Sequence, residues 1–300
     1  MALDTATLYY RAFHALPISL TTPDGVPVNA VRGTLDMIAA LVNEFEPDVV
    51  VAAWDEQWRP SWRTALVPQY KAHRVVAGTA NSEDVPAELA LQIPIVREAL
   101  ECLGITVMGV EDQEADDVLG ALVRSWKGES LVISGDRDLF QLADDERQCA
   151  VVYIGAGIKK REVVTDTWLV DKYGLAPGQY GDFAALRGDA SDGLPGVPGI
   201  GDKTAAKLLS QFDTIDGLLR AAGQGHEALT ARTRANLLEA KDYLFAVRSV
   251  IAVGEKIDIE APKQQAASDV QAFHDLAARW NLGKPGERVL AAMLALADRG

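Results

Sequence analysis

Three short, largely β-branched apolar runs, PDVVVAAWD (47–55), GITVMGV (104–110) and ESLVISGD (129–136), each follow a segment whose apolar residues recur at helical spacing: VRGTLDMIAALVNEF, PIVREALECLG and ADDVLGALVRSW. Apolarity that is continuous rather than alternating belongs to strands covered on both faces, which is the condition of a parallel sheet with helical crossovers. Strand, helix, strand at this spacing predicts an α/β fold with a doubly wound, mostly parallel sheet. From about Thr165 the pattern becomes wholly helical, as in DTWLVDKYG, DFAALRG, KTAAKLLSQF, IDGLLRAA and ARTRANLLEAKDYLFAVRSV, broken by Gly and Pro clusters. The expected division is an α/β core over 1–165 and a helical region over 166–300.

The chain is acidic, with 43 Asp and Glu against 29 Lys and Arg and a net charge of -14. Taken alone this argues against nucleic acid, whose non-specific affinity comes from cations that neutralise phosphates. The inference weakens if the acids surround metal ions, which offset their charge locally. Cys102 and Cys149 lie far apart and in no CxxC context, so neither a disulfide framework nor a thiolate zinc site is indicated, and a reducing cytoplasm fits. Asp4 and Arg11 interrupt the N-terminus before an apolar run can form, and no apolar stretch reaches the roughly 18 residues of a membrane span. A soluble, cytoplasmic protein without a signal peptide is expected.

The acids fall where strands end. Asp55 closes VVVAAWD, Asp136 and Asp138 follow LVISG, and EDQEADD after GITVMGV brings Glu114, Asp116 and Asp117 to the start of a helix. Asp4 follows only MAL, the beginning of a strand at best. In an open parallel sheet the carboxyl ends of the strands share one edge, where ligands bind. Glu114 and Asp117 stand three apart, one helical face, and Asp136 and Asp138 two apart, one side of an extended strand; Asp189 and Asp192 repeat the three-residue step. Taken singly, such acids are often caps or turn formers. Together they form a cluster that needs counter-charge, and hard divalent cations such as Mg²⁺ or Mn²⁺ take oxygen ligands of this kind.

GVPGIGDKTAAKLL sets Gly196, Gly199 and Gly201 ahead of Lys203, Thr204 and Lys207 on an amphipathic helix. Glycines let backbone amides approach a phosphate near a helix N-terminus. The GxxxxGK[ST] spacing of a nucleotide loop is absent, which excludes that kind of triphosphate site. A basic stretch follows Asp55: Arg59, Arg63, then Tyr70, Lys71, His73 and Arg74. Such runs are usually solvated. Beside a carboxylate cluster these cations suit a phosphoryl group in transfer, and Tyr70 suits stacking on a base.

LDTATLYYRAFHALP, VVVAAWD, PQYKAHR, EADDVLGAL, ISGDRDLFQL and GDASDGLPGVPGIGDKTAAKLL, in this order, resemble the flap endonuclease or structure-specific 5' nuclease family. The likeness is strongest to the 5'-3' exonuclease domain of bacterial DNA polymerase I and its stand-alone relatives, and runs from residue 3 to about residue 210. The resemblance implies a PIN/Rossmann-like core with a helical arch at about 71–95 and a helix-three-turn-helix element at about 182–212. It also implies a two-metal phosphodiesterase that cuts DNA at 5' ends or 5' flaps in replication and repair, with RNA-primed DNA a further substrate class. Asp4, Asp55, Glu114, Asp116, Asp117, Asp136, Asp138, Asp189 and Asp192 fall on the family's acidic ligand positions, and for the two-metal site so implied Asp136, Asp138 and Asp117 are the expected direct contacts, with the EADD acids shared between the ions. Lys71 and Arg74 match the basic pair at the foot of the arch, and Tyr70 an aromatic position tied to stacking on the terminal base. Gly196, Gly199, Ile200, Gly201, Lys203 and Thr204 match the hairpin that holds duplex phosphates, where K⁺ can sit on backbone carbonyls. A monomer suffices for all of this.

Three positions depart from the family pattern. The segment after KAHR is longer and more acidic than usual, Gly193 stands where asparagine is common, and the first strand is nearly absent. Two rival readings remain at this point. LDTAT partly matches the DxDxT nucleophile motif of a phosphatase class, with Ala6 in place of the second acid. A DNA-binding protein without catalysis would use the glycine hairpin alone.

Overall fold

The computed structural model describes residues 1–255 and 257–299. Its centre is a six-stranded sheet in the order β3-β2-β1-β4-β5-β6, with β1 Ala2–Asp4, β2 Val51–Ala53, β3 Thr106–Met108, β4 Ser130–Ser134, β5 Cys149–Tyr153 and β6 Glu162–Val164. All neighbours run parallel except the β5–β6 pair. The three apolar runs are β2, β3 and β4. The strand before Asp4 is short, yet it is central: Leu3 pairs with Ala52 on one side and Ile133 on the other, and the terminal ammonium donates to the Val49 carbonyl at 2.7 Å. Strand order reverses between β1 and β4, which makes the carboxyl ends of these two strands the natural ligand crevice.

Alternate residues of the strands feed two cores. Leu3, Ala52, Ile133 and Val152 face α1 Thr5–Ala15, α2 Asn29–Phe45 and α5 Ile93–Cys102. Val51, Ala53, Val132 and Val151 face α6 Ala115–Ser125 and the helices that follow β6. Between β2 and α5 lie only α3 Ser61–Leu66, a 3₁₀ turn at Ala72–Arg74 and α4 Ala87–Ala90. The expected helical arch over 71–95 is therefore not helical along its length; residues 74–84 form a small hairpin with Val75 opposite Glu83. This stretch contains Gly78 with φ 83° and then Asn, Ser, Glu and Asp, residues that favour turns over helix interiors.

The second half contains α7 Asp166–Tyr173, α8 Tyr180–Arg187, α9 Asp202–Phe212, α10 Ile215–Gly223, α11 Ala231–Glu239, α12 Lys241–Ile251, α13 Val270–Arg279 and α14 Gly283–Ala297. Helices α7 to α12 pack on the α6 side. The last two return to the opposite face, where Phe273, Leu276, Val289 and Met293 join Leu35 and Ile38 of α2 in one core. A helical unit spanning 166–300 is thus not how the packing divides: amphipathic spacing in α13 and α14 signals a buried stripe, but not which core receives it.

Candidate active site

The acids converge at the strand ends. Asp4, Asp55, Glu114, Asp116 and Asp136 line one cleft of about 200 Å³ with Tyr10, Trp58, Lys71 and Arg74. Asp4 caps α1, accepting from the Thr7 amide at 3.0 Å, and its other oxygen accepts from the Thr7 and Ser134 hydroxyls, each at 2.5 Å. Asp55 accepts from the Ala115 amide at 2.7 Å, which ties the end of β2 to the start of α6. Asp136 lines a second polar pocket as well, with Asp189 and Arg187. Asp138, beside Arg187, and Asp192, beside Arg74, are buried, at 8% and 9% exposure.

Burial and mutual repulsion raise the proton affinity of four of the acids. Asp55 is pushed up to about 7, chiefly by burial and then by the Glu114 charge, against the lowering hydrogen bond from Ala115. Asp136 rises to about 6 through burial and the nearby Asp192. Asp116 and Asp138 are raised well above the carboxylate range by burial, and by Asp136 in both cases. One oxygen of Asp138 is buried with no hydrogen-bond partner, its nearest cation being the Arg187 guanidinium at 3.8 Å. An orphaned carboxylate oxygen among raised acids marks a place built for counter-charge. Oxygen donors alone, near solvent, suit hard divalent cations that keep several waters. Among the described residues, no group of three or more Asp, Glu, His or Cys side chains is already closed around a point that could hold a metal ion.

Two expected site residues have other roles. Asp117 is committed to Arg63, bidentate at 2.6 and 2.9 Å, and also accepts from the Gly254 and Glu114 amides, so no oxygen remains for the direct metal contact expected of it. Tyr70 is 4% exposed with its hydroxyl on Glu114 at 2.8 Å, and cannot stack on a base from there. Glu114 is gripped by Arg63, Tyr70 and Lys71 together. Arg63, grouped above with the cations facing a phosphoryl group, is instead 2% exposed and spans from Glu114 and Asp117 to the Val250 carbonyl. Arg59 holds the Tyr70 and Pro68 carbonyls. Spacing carries no sign of these partnerships, and none that Arg187 would sit beside Asp138 and Asp189. Arg74 lies 3.2 Å from Asp192.

The glycine-rich hairpin joins α8 to α9. Gly188 and Gly196 cross backbone to backbone at positive φ: a Cβ on Gly196 would lie 2.5 Å from the Arg187 carbonyl group. Gly193 also needs its hydrogen, since a Cβ there would meet the Gln69 carbonyl at 2.7 Å. That accounts for glycine in place of asparagine. Gly199, Gly201, Lys203, Thr204 and Lys207 are exposed, and no side chain caps the N-terminus of α9. Ile200 is 5% exposed and the Gly196 amide is spent on the Tyr243 hydroxyl, so these two anchor the hairpin and do not face a ligand.

Fold, cleft and hairpin together have the architecture of the structure-specific 5' nucleases. The chain belongs to the 5'-3' exonuclease family: residues 1–174 match its N-terminal resolvase-like domain and residues 175–273 its C-terminal SAM fold. It is 44% identical to a 5'-3' exonuclease of Streptomyces coelicolor, over 98% of this chain and 100% of that one, and 38% identical to a 5'-3' exonuclease of Mycobacterium tuberculosis, over 97% and 96%. A DNA polymerase I of Mycobacterium bovis is 39% identical over 83% of this chain and 27% of its own length. Among solved structures, the T5 D15 protein co-crystallised with metal ions superposes with a TM-score of 0.63 at 18% identity, covering 99% of this chain and 98% of that one. Human GEN1 in complex with Holliday junction DNA superposes with a TM-score of 0.67 at 17% identity, covering 99% and 72%. At such identities the likeness is one of fold.

Proposed function

We propose that this chain is a divalent-cation-dependent 5' nuclease that hydrolyses phosphodiester bonds at the 5' ends or 5' flaps of DNA duplexes, in replication and repair. The observation that carries the reading is the convergence of Asp4, Asp55, Glu114, Asp116 and Asp136 from four chain segments on one cleft. Its near full-length identity to 5'-3' exonucleases supports the same chemistry.

Asp4, Asp55, Asp116 and Asp136 would hold one part of a two-ion site, and Asp138, Asp189 and Asp192 the other, with Glu114 acting through Lys71 and Mg²⁺ or Mn²⁺ the fitting ions. Such ions, when bound, supply Lewis acidity toward the phosphoryl oxygens and a lowered pKa for water. The chain itself supplies position and charge. Lys71 and Arg74 reach the cleft from one side, placed to meet the negative charge that grows on non-bridging oxygens. Arg63 and Tyr70 keep Glu114 from turning away. Lys203 and Lys207, with the open amides of α9, suit duplex phosphates at a distance from the reacting bond, and carbonyls of the same hairpin suit K⁺. Local charge therefore outweighs the net charge of -14.

Asp138→Asn tests the reading, because it keeps the shape and removes the carboxylate that a bound cation would need. The variant is expected to fold as the parent does, to lose most of its thermal stabilisation by Mn²⁺, and to cut a 5'-ended nick slower by orders of magnitude. Turnover near the parental rate would remove Asp138 from the site. Binding of a nicked duplex in EDTA with no cut by the parent on adding Mn²⁺ or Mg²⁺ would favour the binding protein without catalysis.

A further inference from the structure

Residues 74–84 border the cleft through Arg74 and Glu83 and are held in place by hydrogen bonds. The limbs of this hairpin are bonded to each other: the Val76 amide donates to the Ser82 carbonyl and the Asp84 amide to the Arg74 carbonyl, both at 2.8 Å. Its tip is bonded to the body. Trp58 Nε1 donates to the Asn81 carbonyl at 2.9 Å, Asn81 Nδ2 donates to the Arg59 carbonyl at 3.0 Å, and Arg59 Nη1 reaches Asn81 Oδ1 at 3.4 Å. The following limb is part of the core, with Leu89 and Gln92 fully buried and Gln92 Oε1 accepting from the Ala30 amide at 2.7 Å. A hairpin with bonded limbs has no opening between them, and one whose tip is bonded to the body has to break those bonds to lift.

Charge points the same way. Residues 75–92 carry Glu83, Asp84 and Glu88 and no Lys or Arg. A single strand brings one negative charge per nucleotide, and beyond Arg74 at its base this segment adds no cation of its own to receive it.

We propose, on the basis of the nuclease reading, that residues 74–84 are a latched lid and that Asn81 is the residue that sets substrate choice. The cleft takes a 5' terminus that enters along the body, at nicks, gaps and recessed ends. A long single-stranded 5' flap is disfavoured, because it has to lift the lid.

The full chain with Mn²⁺ is assayed on a nicked duplex, a gapped duplex and a duplex with a 5' flap of about 20 nucleotides, longer than a single small fold covers. The quantity read is kcat/KM on the flap divided by that on the nick, with product lengths separating stepwise removal from a cut at the junction. The parent is expected to favour the nick by about tenfold or more, and Asn81→Ala, which removes two side-chain hydrogen bonds of the latch, to narrow that preference by roughly tenfold. Equal rates on flap and nick in the parent, or a ratio unmoved by Asn81→Ala, overturn the lid and leave the nuclease reading standing. Cleavage of none of the three substrates overturns the nuclease reading and the lid with it.

Discussion

Replacing Arg63 with methionine keeps most of the side chain's bulk and removes its charge. The guanidinium holds Asp117 at 2.6 and 2.9 Å, Glu114 at 2.7 Å and the Val250 carbonyl at 2.9 Å, and all three side chains are under 5% exposed. Removing one member of a buried pair leaves the other charged and unpaired, at a cost of about 3–5 kcal/mol. Some of this is relieved. Glu114 keeps Tyr70 and Lys71, and Asp117 keeps two amides. A loss of about 3–4 kcal/mol is therefore expected, a large share of the roughly 5–15 kcal/mol that holds a domain folded. Urea denaturation at neutral pH reads it as a lower midpoint at unchanged slope. Arg63→Lys should rescue little, because an ammonium cannot form the bidentate contact. Adding Asp117→Leu to Arg63→Met should recover at least about 1 kcal/mol, since it removes the stranded charge. A loss under about 1 kcal/mol for the single variant, or strict additivity in the double one, would refute the assignment of Arg63 as counter-ion of the α6 acids.

Asp55, at about 7, and Asp136, at about 6, bind their protons more tightly than the unfolded value of 3.8. Between these limits the native state carries more protons than the unfolded one, so in EDTA the contribution of these groups makes stability fall as pH rises from about 4 to about 7, then level off. Urea midpoints across that window check it, and a steady rise would contradict the burial of these groups. Gly196→Ala places a methyl 2.5 Å from the Arg187 carbonyl group at φ 66°, and should cost roughly 1–3 kcal/mol together with much of the duplex affinity, measured by thermal melts and fluorescence anisotropy. Lys203→Ala and Lys207→Ala should each weaken duplex binding in EDTA whatever its sequence, and each reduce the slope of log K against log salt by about 1. An unchanged slope would take these lysines off the DNA.

The strand runs, the helical second half, the acids at strand ends and the glycine hairpin could all be read from the chain, because each is a local pattern imposed by burial or backbone freedom. The N-terminal strand and the two that follow β4 were harder. β1 is three residues long, and CAVVY and EVV become strands only through the neighbours they pair with. What charged and aromatic side chains do was illegible for a related reason. Arg63 meets its partners 51, 54 and 187 residues away, and Tyr70 meets Glu114 across 44. Periodicity reports which face of an element is covered, while the identity of the covering group depends on how distant elements cross. So a row of nine acids could be found in the linear text, but separating those that face the cleft from Asp117, whose oxygens Arg63 and two amides occupy, required the folded chain.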